Sequence, residues 1–231
     1  MPEDTPKGRI KIVKDGPFLV SGNIPLSEKR IVPGEGEYKY EEGRELPQSE
    51  SYALCRCGKS KNPPFCDGAH RKAGFVGNEL ASREKYEDRA EWISGPGLDL
   101  LDDDRCAYAR FCRRHKRNAW LYVKHSFSER NIREAIRAAS DCPTGRLTAV
   151  DKNGRRIEPE YEPSIQILQD QEEGVSSGIF VRGGIPIEAA DGSEYEVRNR
   201  VVLCRCGKSS NMPFCDAAHV SEGFSDEEHD T

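Results

Sequence analysis

The chain has 231 residues and a formal net charge of −5, with 35% hydrophobic and 32% charged residues. A mean hydropathy of −0.76 argues against one large apolar core and favours several small domains, which commonly need metals or disulfides. The acidic balance argues against general nucleic-acid binding. No apolar run approaches the ~20 residues that cross a bilayer, and the first residues lack a signal-peptide core. We therefore expect a cytoplasmic protein without membrane attachment.

Two copies of one strand pattern lie near the two ends of the chain. Residues 10–12 and 165–167 alternate apolar and polar side chains, as half-buried strands do. Each is followed by a longer matching stretch, at 18–26 and 179–187. Residues 33–50 are rich in proline, glycine and glutamate and predict a loop that is longer in the first copy. Further strands are predicted over 52–54 and 195–203.

The nine cysteines fall into three groups, and the first and third groups are copies of each other. Each copy reads Cys-Arg-Cys, then eight residues, Cys, then three residues and His. In a reducing cytosol such cysteines are more often metal ligands or catalytic groups than disulfides. A constant offset of 149 residues relates the candidate ligands Cys55, Cys57, Cys66, His70, Cys204, Cys206, Cys215 and His219.

Three thiolates and one imidazole in this order can bind metal in two ways. The Cys-x-Cys pair offers two sulfurs from one extended segment, whereas the spacing of Cys66 and His70 lets one helical turn aim both side chains the same way. Asp67 and Asp216 follow the third cysteine of each copy, where a carboxylate can cap the free N–H groups of that turn. Both a structural zinc in a Cys3His tetrahedron and a [2Fe–2S] cluster fit these residues.

Residues 55–70 resemble the CDGSH iron–sulfur domain of the NEET family, including the non-ligand positions Ser60, Pro64 and Gly68. The resemblance implies one [2Fe–2S] cluster on the three cysteines and the histidine of each copy, and it favours iron over zinc. It also implies an intrachain pseudo-dimer, because family members pair two such units, so that no partner chain is needed for that pairing. The second copy departs at Ala217, which replaces Gly68 and restricts positive φ angles.

Between the copies lies a third cysteine group, Cys106, Cys112 and Cys142, the last followed by proline. This layout resembles the divergent mono-cluster ferredoxin-like domain, with Ala109 where bacterial ferredoxins have a middle cysteine. The resemblance implies a third cluster, either [3Fe–4S] or [4Fe–4S] with a non-cysteine ligand. That domain often has a histidine where Tyr108 stands, so no fourth ligand is evident. The alternative is a metal-free module with three reduced core cysteines.

The segment around these cysteines has the residue pattern of a compact α+β fold. Residues 120–123 predict a strand, and Ser126 with Glu129 forms a capping box for a helix. Apolar residues at i, i+3, i+4 and i+7 form one face of that helix, which should end before Pro143. This face consists of Ile132, Ala135, Ile136 and Ala139.

Together these patterns predict an α+β protein in which two small β-rich CDGSH units flank an inserted ferredoxin-like domain. Residues 8–78 are called the first unit below, residues 79–160 the insert, and residues 161–225 the second unit. Residues 226–231 are predicted to form a disordered acidic tail.

Two groups of basic residues have both a functional and a simpler interpretation. Residues 105–117 hold six basic residues and no acid, directly after four aspartates within 99–104. They predict either a docking patch for an acidic redox partner or, more simply, local charge balance with those aspartates. Lys59 and Lys208 either donate hydrogen bonds near a cluster or are solvated.

The function that follows is that of an iron–sulfur redox protein, which carries electrons, transfers clusters or senses redox state. Its expected partner is a redox or cluster-acceptor protein. It is not expected to be an enzyme, since no nucleophile triad, phosphate loop or dinucleotide fingerprint is present. Two alternatives stay open: an oxidoreductase that uses its clusters as an electron relay, and a zinc-stapled interaction module.

Overall fold

The computed structural model describes residues 8–226, which form an α+β protein with four sheets. Strands of the two repeated units build two of these sheets, and the other two lie in the insert. No helix within the described range is long and apolar enough to cross a bilayer. The α+β class predicted from the sequence is confirmed.

The elements follow one another in three blocks along the chain. The first unit comprises β1 (Arg9–Ile12), β2 (Phe18–Ser21), β3 (Leu26–Pro33), β4 (Tyr38–Glu42), β5 (Ser51–Leu54) and α1 (Ala69–Lys72). The insert comprises α2 (Tyr86–Arg89), β6 (Glu91–Ile93), β7 (Asp99–Asp102), β8 (Arg113–Arg114), β9 (Arg117–Asn118), α3 (Ala119–Lys124), α4 (Glu129–Ser140), β10 (Leu147–Val150) and β11 (Arg156–Ile157). The second unit comprises β12 (Ser164–Asp170), β13 (Val175–Arg182), β14 (Ile187–Glu188), β15 (Arg200–Leu203) and α5 (Ala218–Ser221).

The two units exchange one strand each, so that their sheets interlock. One sheet has the order β14-β1-β2-β5 and takes β14 from the second unit, parallel to β1, with Ile10 opposite Ile187. The other has the order β15-β13-β12-β3-β4 and takes β3 from the first unit, parallel to β12, with Ile165 opposite Leu26. Because Leu26 and Ile187 are equivalent positions of the repeat, the exchange is reciprocal. The chain thus forms the expected pseudo-dimer within itself.

One apolar core fills the space between the interlocked sheets. In β1 the alternation predicted from the sequence is realised, since Ile10 and Ile12 are buried while Lys11 is exposed. Each buried side chain of this size contributes roughly 1.5–3 kcal/mol to folding. Strands β12 and β13 are buried on both faces instead, because Leu168 and Phe180 pack against Phe111 and other apolar residues of the insert. The second unit is therefore the one that the insert covers.

The insert has its own core, formed by two helices against the antiparallel sheet β11-β10-β7-β6. Helix α4 begins after Ser128, whose Oγ accepts a hydrogen bond from the N–H of Asn131 at 3.3 Å. The predicted apolar face is confirmed, because Ala135 and Ala139 are buried and the two isoleucines pack against the same core. The helix ends at Ser140, before Pro143, as predicted.

Two expectations for the insert were wrong. Residues 120–123 do not form a strand but lie in the helix α3, which Asn118 caps by accepting a hydrogen bond from the N–H of Leu121 at 2.9 Å. Its buried residues, Ala119, Tyr122 and Val123, recur at i, i+3 and i+4, which is a helical period. The cap of α4 is Ser128 and not Ser126.

Three boundaries elsewhere also differ from the expectations. The predicted loop 33–50 contains β4, which pairs with β3 because Tyr40 stacks on Phe111 with ring centroids 4.4 Å apart. The strand expected over 195–203 covers only its last four residues, 200–203. Asp226, assigned to the disordered tail, is placed beside Arg205, and residues 227–231 lie outside the described range.

Candidate metal centres

The first unit brings its four candidate ligands together where β5 ends. Cys55 follows β5 directly, and its sulfur lies 3.7 Å from that of Cys57. Cys66 returns antiparallel to this strand, since its N–H donates to the carbonyl of Ala53 at 2.9 Å. The helical turn α1 then brings His70 Nδ1 to 3.4 Å from the Cys66 sulfur. The i, i+4 spacing thus brings Cys66 and His70 to the same side of one helical turn, as expected.

The second unit repeats this construction. The sulfurs of Cys204 and Cys206 are 3.5 Å apart, and the sulfur of Cys215 lies 3.4 Å from Nδ1 of His219. Ala217 adopts a φ of 71°, close to the 85° of its counterpart Gly68, so that alanine holds the left-handed turn at the cost of some strain. The single departure from the motif therefore leaves the ligand geometry unchanged.

The capping role predicted for the two aspartates is also present. Asp67 accepts hydrogen bonds from the N–H of Ala69 at 2.9 Å and of Lys61 at 2.8 Å. Asp216 accepts from the N–H of Ala218 at 3.1 Å in the same way. Each carboxylate ties the helical turn to the loop before it, and this fixes the direction of the third cysteine and the histidine.

The four donors of each unit form two close pairs rather than one tight group. Within residues 8–226, no three side chains of His, Cys, Asp or Glu gather closely enough to bind a single metal ion. A tetrahedral Cys3His zinc site would bring all four donors within about 4 Å of one another, given Zn–S distances near 2.3 Å. The two close pairs of each unit match the ligand pairs that two adjacent irons would need.

One thiol of each Cys-x-Cys pair is held toward its thiolate form, whereas the bond within the pair and burial raise the pKa of the other thiol, Cys57 in the first unit and Cys206 in the second. In the first unit the thiol of Cys57, which donates to the sulfur of Cys55, lowers the pKa of Cys55 to about 5. Backbone N–H groups of Gly58 and Ser60 lower that pKa further, against the effect of burial. In the second unit the equivalent contact lowers the pKa of Cys204 to about 6. An anionic cluster would find these N–H donors already in place.

The second-unit histidine is held in its metal-binding form. His219 is only 2% exposed, and burial together with the charge of Arg205 lowers its pKa to about 4. Its Nε2 has no hydrogen-bond partner among the described residues, so Nδ1 is the nitrogen that faces the cysteines. A neutral imidazole is the form that ligates metal. The equivalent His70 is partly exposed.

Sequence reasoning missed the arginine inside each Cys-Arg-Cys segment. Arg56 is buried, and its guanidinium donates to the carbonyls of Val13, Gly16 and Gly77. Arg205 does the same in the second unit, and it also pairs with Asp226. These side chains bond to backbone carbonyls and to Asp226, and they fix the loop that carries the candidate ligands. Their recurrence in both copies was the signal that could have found them.

The lysines predicted near the clusters take a smaller part than expected. The side chains of Lys59 and Lys208 are exposed. Their backbone N–H groups, and not their ammonium groups, lie against the cysteine sulfurs. The contribution of these positions to the ligand loop therefore comes from the main chain.

The two ligand loops touch each other across the pseudo-two-fold axis. A Cβ atom placed on Gly58 would lie 2.5 Å from the carbonyl oxygen of Cys206, and one on Gly207 would lie 2.6 Å from that of Cys57. Both glycines also have positive φ angles, 67° and 77°. Only glycine allows this close reciprocal packing. The two donor groups are therefore direct neighbours.

The insert cysteines form a third group beside the second unit. All three are partly buried. Burial raises the pKa of Cys112 to about 11, and the nearness of Cys142 and Cys106 adds to that rise. Cys112 and Cys142 pack against the same core of the insert. Ala107, which follows Cys106, packs in one apolar cluster with Cys215, so that this part of the insert lies against the second unit.

Comparison with known proteins identifies the repeated units. The family described as iron-binding zinc finger CDGSH type matches residues 15–71 and 177–220, which contain all eight candidate ligands of the two repeats. Searches of curated proteins and of solved structures give no match. Iron–sulfur binding is what this family implies for both segments.

Proposed function

The chain carries two CDGSH-type iron-binding units, and from this premise we propose that it is an electron carrier with three iron–sulfur clusters. Each unit holds one [2Fe–2S] cluster on its three cysteines and its histidine. The insert holds a [3Fe–4S] cluster on Cys106, Cys112 and Cys142, since no fourth cysteine accompanies them. When bound, these clusters supply one-electron chemistry, with histidine ligation raising the potential above that of all-cysteine clusters.

The observation that carries this proposal is the division of each donor set into two close pairs. Cys55 with Cys57 and Cys66 with His70 match the ligand pairs of two irons. Backbone N–H groups aimed at the sulfurs complement the negative charge of such a cluster. A zinc site would instead need all four donors around one ion.

The arrangement of the three donor groups favours electron transfer. The first-unit and second-unit groups are joined by the contacts of Gly58 and Gly207, and Cys215 of the second unit packs in one apolar cluster with Ala107 and Phe111 of the insert. The second unit is therefore the middle of a row. Redox centres that lie side by side exchange electrons readily, and a pathway along the row would link the insert to the first unit.

An anaerobic reductive titration of the purified holoprotein tests this proposal. Three one-electron centres should accept about three electrons per chain and return to the starting spectrum on reoxidation. Cys112→Ser should remove about one of these electrons, and Cys57→Ser should remove a different one with a distinct spectral change. A protein that accepts no electrons, or that is colourless, would overturn the proposal.

Cluster transfer from the first unit is a second candidate, and one observation favours it. An open pocket of about 690 Å³ reaches Cys55 and is lined by Lys61 and Pro64 of the first unit and Phe224 of the second. Such an opening gives an acceptor thiol a route to the first-unit cluster. Incubation with an apo-ferredoxin would reveal it, as loss of about half of the [2Fe–2S] signal from this chain and its gain by the acceptor.

A further inference from the structure

Three of the six basic residues at 105–117 contact other parts of the protein. Arg110 is buried against Asp170 at 2.7 Å. Arg114 is buried and pairs with three carboxylates, those of Glu37, Glu134 and Asp141. Arg105 lies over the ring of Phe214, 4.2 Å from its centroid. These three arginines join the insert to its neighbours.

The other half of the run is exposed and lacks counter-ions. Arg113, Lys116 and Arg117 form no ion pair with any residue from 8 to 226, and nor do the nearby Lys124 and Arg130, which are also exposed. The aspartates within 99–104 pair with three other bases, Lys152, Arg146 and Arg89. The simpler interpretation, local charge balance, is therefore wrong for these residues. On a chain with a net charge of −5, this face has the opposite sign.

Exposed apolar side chains lie among these cations. Phe127 is 81% exposed and Leu121 is 37% exposed. Two shallow pockets of about 470 and 400 Å³ share Arg117 and Leu121, so that they form one continuous groove. An apolar centre with charged surroundings is the layout of a protein-docking surface. We call Arg113, Lys116, Arg117, Leu121, Lys124 and Phe127 the basic face.

The basic face is rigid at its centre. The two-stranded ribbon β8–β9 is anchored by the buried Arg114, whose carbonyl also accepts a hydrogen bond from the hydroxyl of Tyr122 at 3.2 Å. The neighbouring acids are already engaged, because Glu37 pairs with Arg114 and Glu129 pairs with Arg133. The exposed cations are thus presented on a preorganised support, which lowers the entropic cost of docking.

The basic face also adjoins the insert cysteines. Cys112 directly precedes Arg113, and its carbonyl accepts a hydrogen bond from the N–H of Ala119 at 2.9 Å. A protein seated on this face would therefore bring its own redox centre close to the end of the row of donor groups.

We propose that the basic face docks an acidic electron-transfer protein, which exchanges one electron with the insert cluster. In the forward direction the reduced centre of the partner loses the electron and the insert cluster gains it, with no bond made or broken. The electron step rests on the function proposed above, whereas the docking itself does not. The apolar pair Leu121 and Phe127 favours a folded protein partner over a nucleic acid, whose backbone offers mainly phosphate charge.

Binding of a purified acidic plant-type [2Fe–2S] ferredoxin to the holoprotein tests the docking. Affinity should be measured by calorimetry at about 20 mM and about 300 mM salt, because screening separates electrostatic docking from other association. We expect Lys116→Glu combined with Arg117→Glu to weaken binding at least about tenfold at low salt. Lys85→Glu, which changes an exposed lysine outside the groove, should leave it unchanged. Phe127→Ala should weaken binding several-fold at both salt concentrations.

Reduction kinetics separate the docking from the redox function. Reduction of the holoprotein by the reduced ferredoxin should slow at least about tenfold in the double variant, while reduction by dithionite should not change. Equal ferredoxin rates in the wild type and the double variant would overturn the docking proposal. A chain that dithionite cannot reduce would contradict the proposed function instead. The holoprotein could instead bind a DNA oligonucleotide tightly and no ferredoxin, with the double variant losing the DNA binding. That result would assign the face to nucleic acid and overturn this proposal.

Discussion

The two repeated units carry the same candidate ligands, but they expose them differently to solvent. In the second unit Cys204, Cys206, Cys215 and His219 are all buried. In the first unit only the Cys-x-Cys pair is buried, whereas Cys66 and His70 are partly exposed. The internal repeat therefore preserves the chemistry of the site while changing its access to water.

The insert causes this difference, because it packs beside the ligand loop of the second unit. The N–H groups of Leu80 and Ala81 donate to the carbonyl of Met212 at 2.8 and 2.9 Å, beside the second-unit ligands. Arg105 stacks on Phe214 from the same side. Among residues 8–226 the insert donates no such hydrogen bonds to the first-unit ligand loop, and the pocket that reaches Cys55 is open there. One copy of the duplicated site is therefore enclosed by the protein, whereas the other is open to reactants in solvent.

The largest expected effect of this asymmetry is on iron release. At mildly acidic pH in the presence of an iron chelator, we expect two phases of [2Fe–2S] loss, with the first unit releasing its cluster about tenfold faster. The reason is that water and chelator reach Cys66 and His70 but not their second-unit counterparts. His70→Cys should slow the fast phase, and the matched His219→Cys should alter only the slow phase. A single phase that both variants change equally would contradict the comparison.

The contact between the units gives the next largest effect. Gly58→Ala adds a Cβ at 2.5 Å from a carbonyl oxygen and forces alanine to a φ of 67°, so we expect a loss of about 3 kcal/mol. Gly68→Ala is the matched control, since its Cβ meets no atom within 4 Å and alanine already stands at the equivalent Ala217. It should cost about 1 kcal/mol. Denaturant unfolding of the two holoproteins provides the comparison, and equal losses would argue against tight packing between the ligand loops.

The ion pair of Arg205 with Asp226 gives a smaller expected effect on stability, and only the second unit has this pair. Burial alone raises the pKa of Asp226, but Arg205, Ser176 and Gln169 outweigh it and hold this pKa below its usual value. The stabilisation is therefore complete above about pH 4 and is lost as the pH falls through the lowered pKa. Asp226→Asn should cost about 2 kcal/mol, equally at pH 7 and pH 5.

The first unit supplies the control for this variant. There the carbonyl of Gly77 occupies the place of the Asp226 carboxylate, so that Arg56 forms no ion pair with any residue from 8 to 226. Thermal unfolding at the two pH values measures the difference between the wild type and Asp226→Asn. A difference that already shrinks between pH 7 and pH 5 would contradict the lowered pKa.

The smallest expected effect concerns the lysines beside the ligand loops. Because the ammonium groups of Lys59 and Lys208 are exposed, Lys59→Ala and Lys208→Ala should each change stability by less than about 0.5 kcal/mol. The visible spectrum should not change either, since the backbone N–H groups stay in place. A spectral shift in either variant would show that an ammonium group acts on the cluster.

Sequence alone could predict the ligand sets because their spacing is local. The donors Cys66 and His70 are brought together by one turn, and the repeat at a fixed offset marked both copies at once. The strand exchange could not be predicted, because the pairing of β3 with β12 joins residues far apart in the chain and leaves no local pattern. The cover over the second unit is likewise a tertiary effect, produced by where the insert packs.

The errors within the insert have a local physical cause. The aromatic and β-branched residues within 120–123 favour a strand by composition. Asn118 nevertheless caps a helix here, and the buried residues Ala119, Tyr122 and Val123 have the helical spacing i, i+3, i+4. Strand β4 was hidden among glycines and glutamates, because its pairing depends on Tyr40 packing against Phe111 of the insert. In both places tertiary contacts outweigh the composition of the segment.

The most direct test of the account is the metal and sulfide content of the anaerobically purified protein, measured together with its visible spectrum. Two [2Fe–2S] clusters and one [3Fe–4S] cluster give about seven irons and eight sulfides per chain, without zinc. About four irons would leave the insert empty and remove the third centre from the row. A colourless protein with zinc and no sulfide would contradict the iron–sulfur account as a whole.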